Sequence, residues 1–208
     1  MYIVLEGIVG TGKSTQAKLL VAYLKKQFPD KRIEYVREPW TTQIAEAIRT
    51  LVQGTEFDEP MNFICEAYLF AAARAQLLHT TVRPLLEEWS IVVADRSFLS
   101  SLAYQGKAKW LWIQTVFDIN SHAIASVMPD CILYFTCPPA YALARTSDAA
   151  WDKFERMWVE FFEQIQAWYD EVSRLDALSS LRHTIDATWT IPEVSARIHT
   201  VLSNLWYL

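Results

Sequence analysis

Three of the chain's five glycines fall within six positions, in the stretch Gly7-Ile-Val-Gly10-Thr-Gly12-Lys13-Ser14-Thr15. The spacing fits G-x-x-x-x-G-K-[ST], a loop whose backbone N–H groups turn inward around anionic oxygens with no Cβ in the way. Lys13 brings positive charge to the outer phosphates, and Ser14 offers a hydroxyl to a Mg²⁺ ion. Before the loop, the apolar run Tyr2–Glu6 predicts a strand. After it, residues 13–27 predict a helix with Ala17, Leu20, Val21 and Leu24 on one face. The helix N-terminus would add its amides and dipole to the same anion site. Strand, glycine turn and helix in that order commit the chain to a βα unit that holds nucleoside phosphates.

Further strand-like runs occur at Ile33–Val36, Ile91–Ala94, Ile132–Phe135 and His183–Ile185. Helical periodicity fills the intervals at Gln43–Val52, Met61–Leu78, Arg83–Glu88, Lys109–Val127, Pro138–Arg145, Asp152–Leu175 and Pro192–Leu205. This alternation predicts an α/β fold of the P-loop NTPase kind: a five-stranded parallel sheet with helices on both faces. With 208 residues and no Pro/Gly/Ser-rich linker, residues 1–208 are expected to form a single domain.

A ligand in such a sheet sits beyond the carboxyl ends of the strands. The informative residues fall there: Gly7 after the first strand, Arg37-Glu38-Pro39 after the second, Asp95-Arg96-Ser97 after the third. Asp95 can reach the shell of a Mg²⁺ ion, and Arg96 can grip phosphate with a two-pronged fork. A net charge of −5 argues against a general nucleic-acid or anionic-membrane surface, so the cations are expected in one cleft. No apolar run reaches membrane-spanning length, and with the first strand starting at residue 2 no leader is expected. Cys65, Cys131 and Cys137 form no C-x-x-C pair and are expected to be reduced thiols of a cytoplasmic protein.

The stretch Asp95-Arg96-Ser97-Phe98-Leu99-Ser100-Ser101-Leu102-Ala103-Tyr104-Gln105-Gly106 resembles the thymidylate kinase signature D-R-[YFH]-x-x-S-x-x-A-Y-Q-G. Arg37-Glu38-Pro39 resembles the start of that family's R-E-P-G-G-T turn, and Glu66 to Arg74 its E-x-x-x-F-x-x-x-R helix. Asp152-Lys153-Phe154-Glu155 resembles the D-R-[FI]-E segment, and Ile185-Asp186-Ala187-Thr188 the late strand and loop that seat adenine. With the P-loop these make six motifs in order along nearly the whole chain.

The resemblance implies transfer of a phosphoryl group from ATP, with Mg²⁺, to dTMP. It implies ATP contacts at Gly7, Gly10, Thr11, Gly12, Lys13, Ser14, Thr15, Asp186 and Ala187, with Ser14 and Asp95 about the metal. Lys13, Asp95, Arg96 and the cations Arg145 and Lys153 of a lid at about 145–153 would serve the transfer. The acceptor, a pyrimidine deoxynucleoside monophosphate, would meet Arg37, Phe70, Arg74, Arg96, Ser100, Ser101, Tyr104 and Gln105. Phe70 and Arg74 are one helical turn apart, so a ring could stack on the base while a guanidinium donates to its carbonyl. Tyr104 would crowd the sugar 2′ position. A homodimer is expected, since the Met61–Leu78 and Lys109–Val127 helices carry more apolar surface than one sheet face can cover.

Three departures from the pattern bear on the chemistry. Val9 stands where the family has a carboxylate that accepts from the sugar 3′-OH, Trp40-Thr41 replaces two glycines, and Lys153 replaces an arginine. Two other readings compete: a deoxynucleoside kinase, echoed by Glu38-Pro39-Trp40, and a nucleotide sensor without catalysis. The intact Lys13, Ser14 and Asp95 speak against the sensor.

Overall fold

The computed structural model describes residues 1–54, 57–107, 111–124, 127–146, 159–172 and 174–206. Five strands, β1 (Tyr2–Glu6), β2 (Ile33–Arg37), β3 (Ile91–Asp95), β4 (Cys131–Thr136) and β5 (Arg182–Asp186), form one sheet in the order β2-β3-β1-β4-β5. Every pairing is parallel. The helices are α1 (Lys13–Gln27), α2 (Gln43–Gln53), α3 (Phe63–Leu77), α4 (Arg83–Glu87), α5 (Phe98–Ser101), α6 (Ile113–Ile124), α7 (Pro139–Ala144), α8 (Val159–Val172), α9 (Asp176–Ser179) and α10 (Ile191–Trp206).

The central strands are apolar along their length because helices cover both faces. On β1 the pleat sends Ile3 and Leu5 toward Ala17, Leu20 and Leu24 of α1. Tyr2 and Val4 point the other way, into a layer with Leu77, Leu78, Val82 and Leu85 around α3 and α4. The register brings the strands to one carboxyl edge, with Arg37 opposite Asp95, Leu5 opposite both Asp95 and Leu133, and Thr136 opposite Asp186. That edge carries the site.

Several boundaries differ from the sequence-based expectation. The break expected between residues 78 and 83 is a π-helical turn, Leu78–Val82, that joins α3 to α4. Pro84 opens α4, and the wider turn before it relieves the clash its ring makes with a preceding carbonyl. Asp95 to Gly106, read above for chemistry alone, contains α5 and a second π-helical turn over Leu102–Lys107. The helix expected from Lys109 is helical only from Ile113, and its residues 109, 110, 125 and 126 lie outside the described residues. So do 152–158 and 173 of the expected helix Asp152–Leu175, most of the expected lid, and with it Lys153. No described helix is long and apolar enough to cross a membrane.

Candidate active site

The P-loop leaves β1 and enters α1 through three residues of positive φ, Gly7, Gly10 and Gly12. A Cβ at Gly7 would collide with the carbonyl of Phe135 on β4, and one at Gly10 with that of Ala142 on α7, so the loop lies against its neighbours as only glycine permits. Gly12 gives α1 no side-chain cap, which leaves the first amides of the helix free for an anion. Lys13 is buried and donates from Nζ to Ile8 O at 2.6 Å and to Thr11 Oγ1 at 3.1 Å. Burial, and next the Arg96 guanidinium, lower its pKa to about 7. A phosphate would supply the counter-charge that the loop carbonyl does not.

The second part of the site follows β3. Asp95 Oδ2 accepts from Ser14 Oγ at 2.5 Å and from Tyr35 OH at 3.4 Å, and lies 3.5 Å from Arg37 Nε. Arg96 adopts a left-handed φ of 79°, uncommon for a residue with a side chain and costly to hold. Its backbone N–H is fixed on Leu5 O, and its Nη1 donates to Gly7 O and Ser100 Oγ, both at 3.2 Å. The whole turn is organised by Glu6, fully buried at the end of β1. Glu6 accepts from Ser97 N and Oγ at 2.7 Å, from Ser100 Oγ at 2.8 Å and from Tyr169 OH at 3.0 Å. Sequence reasoning missed both Glu6 and Tyr169. A lone acidic residue ending an apolar strand just before the glycines was the available signal.

These groups border two cavities. One, of about 590 Å³, is lined by Gly10 to Gln16, Asp95, Tyr141, Arg145 and the segment Ala187–Ile191. The other, of about 130 Å³, is lined by Glu38, Trp40, Phe70, Arg74, Ser100, Ser101, Tyr104, Gln105 and Phe162. Val9, Arg37 and Arg96 line both. Phe162, buried in the main core, also forms part of the small cavity's wall. Gln105 donates from Nε2 to Glu66 Oε1 at 2.9 Å, which joins the two signature segments in the buried floor.

Arg74 is placed in the expected wall but not in the expected bonding state. Its Nε and Nη2 hold Glu38 Oε2 at 2.9 and 2.7 Å, Nη2 also reaches Ser97 O, and Nη1 donates to Ser101 Oγ and Asn120 Oδ1. Four hydrogen bonds and the ion pair to Glu38 thus engage the guanidinium within the protein, so a base carbonyl would have to displace one of these contacts. Asn120, like Arg74, is fully enclosed and was not foreseen.

Two other expected residues sit differently. The Asp186 side chain is exposed and accepts from Thr188 N at 2.9 Å and Thr188 Oγ1 at 2.6 Å, shaping the loop rather than lining the cavity. Ala187 does line it. Arg145 is bound to Ala187 O and Tyr141 OH, both at 2.9 Å, with Cζ 4.3 Å over the Tyr141 ring. It forms part of the cavity wall at the Ala187 end. Arg49, unforeseen, places Cζ 4.4 Å from the Trp40 ring, with Arg37 Cζ 3.8 Å from the same ring.

The family model for thymidylate kinase matches residues 5–198. A thymidylate kinase of Finegoldia magna is 38% identical over 206 residues, covering 98% of this chain and 98% of that protein. One from Thermosipho africanus is 35% identical over 204 residues, again with 98% coverage of both. The crystal structure of thymidylate kinase from Ehrlichia chaffeensis superposes with a TM-score of 0.77 over 98% of each chain, at 24% identity, a likeness of fold.

Proposed function

The chain belongs to the thymidylate kinase family, and from that membership we propose how its two cavities divide the transfer of a phosphoryl group from ATP to dTMP. The large cavity takes the donor, with its phosphates on the P-loop amides and Lys13, and its base toward Arg145 and Ala187–Ile191. The small cavity takes the acceptor, with the pyrimidine beside Phe70 and the sugar beside Tyr104. One observation carries this division: Arg37, Arg96 and Val9 are the residues common to both walls. The donor's outer phosphate and the acceptor's phosphate then meet between two guanidiniums. Such transfer needs alignment and charge neutralisation more than a nucleophilic side chain.

Ser14 and Asp95 present a hydroxyl and a carboxylate 2.5 Å apart at the donor cavity. Few oxygen donors of this kind suit Mg²⁺, which keeps waters and completes its shell with phosphate oxygens. When bound there, the ion would neutralise developing charge on the donor phosphates. Arg96, fixed by Gly7 O and Ser100, keeps its fork aimed with little entropy left to lose. The resulting reading is a Mg²⁺-dependent phosphotransferase.

We also propose a homodimer built on α3 and α6, which pack side by side and expose Ile64, Tyr68 and Phe117. An ADP-release assay over nucleosides and monophosphates tests the reading. Release with dTMP and Mg²⁺, but not with thymidine, is expected; the reverse pattern would move the chain to the deoxynucleoside kinases.

A further inference from the structure

The turn after β2 carries a feature that phosphoryl transfer alone does not account for. Where the resembling pattern has two glycines, this chain has Trp40-Thr41. The turn is closed: Trp40 N and Thr41 N both donate to Arg37 O, and Arg37 N donates to Thr41 Oγ1 at 2.7 Å. On this fixed frame the indole ring serves two guanidiniums at once, Arg37 from β2 and Arg49 from α2. The Nε of each is buried and has no hydrogen-bond partner. Arg37 has a single carboxylate nearby, Asp95 at 3.5 Å, and no ion pair of Arg49 occurs among the described residues. Arg37 and Trp40 line the small cavity, and the Trp40 ring ties Arg49 to them; two cations of like sign with open donors so placed call for a dianion.

We propose that Trp40 is a positioning residue for the acceptor's 5′-phosphate. Its ring holds Arg37 and Arg49 before any anion arrives, so that a phosphate monoester meets two guanidiniums already in place. The ring's negative face offsets part of their mutual repulsion, and stacking removes rotamer freedom that binding would otherwise have to remove. A glycine at this position would leave both side chains to be ordered by the ligand. The inference rests on the dTMP reading above. It adds a residue that acts on the phosphate and leaves the nucleoside untouched.

The test compares Trp40→Gly, Trp40→Leu and Trp40→Phe with the unmutated protein, using titration calorimetry with dTMP and with thymidine, and steady-state kinetics. Leucine keeps apolar bulk without a ring face, and phenylalanine keeps a smaller ring. Trp40→Gly and Trp40→Leu should weaken dTMP by about tenfold or more, with thymidine within about threefold and the KM for ATP within about twofold. Trp40→Phe should recover most of the loss. Equal weakening of dTMP and thymidine would mean that Trp40 is merely a wall of the base pocket. A Trp40→Leu protein as good as Trp40→Phe would show that bulk suffices. Either result overturns the proposal. An unmutated protein that binds dTMP without transferring phosphate would refute the reading of activity while the binding comparison still decides the role of Trp40.

Discussion

Arg74→Ala should unfold much of the acceptor side as well as weaken substrate. Arg74 is 3% exposed and Glu38 4%, so their pairing is screened by almost no water. Glu38 is already pushed toward protonation by burial, and the Arg74 guanidinium is the chief influence opposing this. Removing one partner of a buried ion pair costs roughly 3–5 kcal/mol, because the remaining charge is left uncompensated. Against a typical domain stability of about 5–15 kcal/mol this is roughly a fifth or more of the whole. At about 2–4 °C per kcal/mol for a chain of this size, Tm should fall by about 6–20 °C. Without Arg74, the Glu38 carboxyl should rise further above its unfolded pKa. The folded state then binds a proton that the unfolded state does not, so stability should decline as pH rises from the unfolded carboxylate range through the folded pKa. Arg74→Ala should therefore suffer less at pH 5 than at pH 8, relative to the unmutated protein. Adding Glu38→Gln should recover part of the loss, since a neutral amide is cheaper to bury than an unpaired carboxylate. Denaturant melts of the two single variants and the double variant at both pH values check this. A cost below about 1 kcal/mol for Arg74→Ala, or a Glu38→Gln addition that only deepens the loss, would refute the reasoning.

Lys13→Met should lower kcat by more than about tenfold, ~1.4 kcal/mol, in a protein that remains folded. Because Lys13 in the nucleotide-free protein has its pKa lowered to about 7, the unfolded chain holds a proton there that the folded one lacks above that pH. The stability of the unmutated protein relative to Lys13→Met should thus improve between pH 7 and pH 9 in denaturant melts, and a flat difference would contradict the assigned burial. Val9 can accept nothing from a sugar hydroxyl, so 3′-deoxy-dTMP should be used within about threefold of dTMP in kcat/KM. A loss beyond about thirtyfold, ~2 kcal/mol, would show that another group reads the 3′ position. Light scattering at micromolar concentration should give twice the chain mass, and Tyr68→Arg should halve it; a monomeric unmutated protein would remove the α3–α6 interface.

What was legible in the sequence was what local pattern encodes. β1, the P-loop and α1 follow from a glycine spacing and two periodicities within 27 residues, and the structure reproduces both element ranges. The strand-end positions of Arg37 and Asp95 were also readable, because a parallel sheet aligns its carboxyl ends. The supporting groups were not. Glu6 meets Ser97 across 91 positions of chain and Tyr169 across 163, and no periodicity marks such pairs. Arg74 shows the limit from the other side: its identity and face were foreseeable, but its engagement by Glu38, Ser97, Ser101 and Asn120 depends on three elements packed together. The arrangement of Asp186 and Arg145 was equally unreadable, because their partners Thr188, Tyr141 and Ala187 are set by the fold of the late loop.

The central claim is that the donor and acceptor meet between Arg37 and Arg96, and it is tested most directly by the products. The unmutated protein with ATP, Mg²⁺ and dTMP should form dTDP and ADP in equal amounts, separated by anion-exchange chromatography. Arg96→Lys, which keeps the charge but not the fork, should lower that yield by about tenfold or more at saturating substrate. ADP and free phosphate without dTDP, or unchanged turnover in Arg96→Lys, would contradict the account.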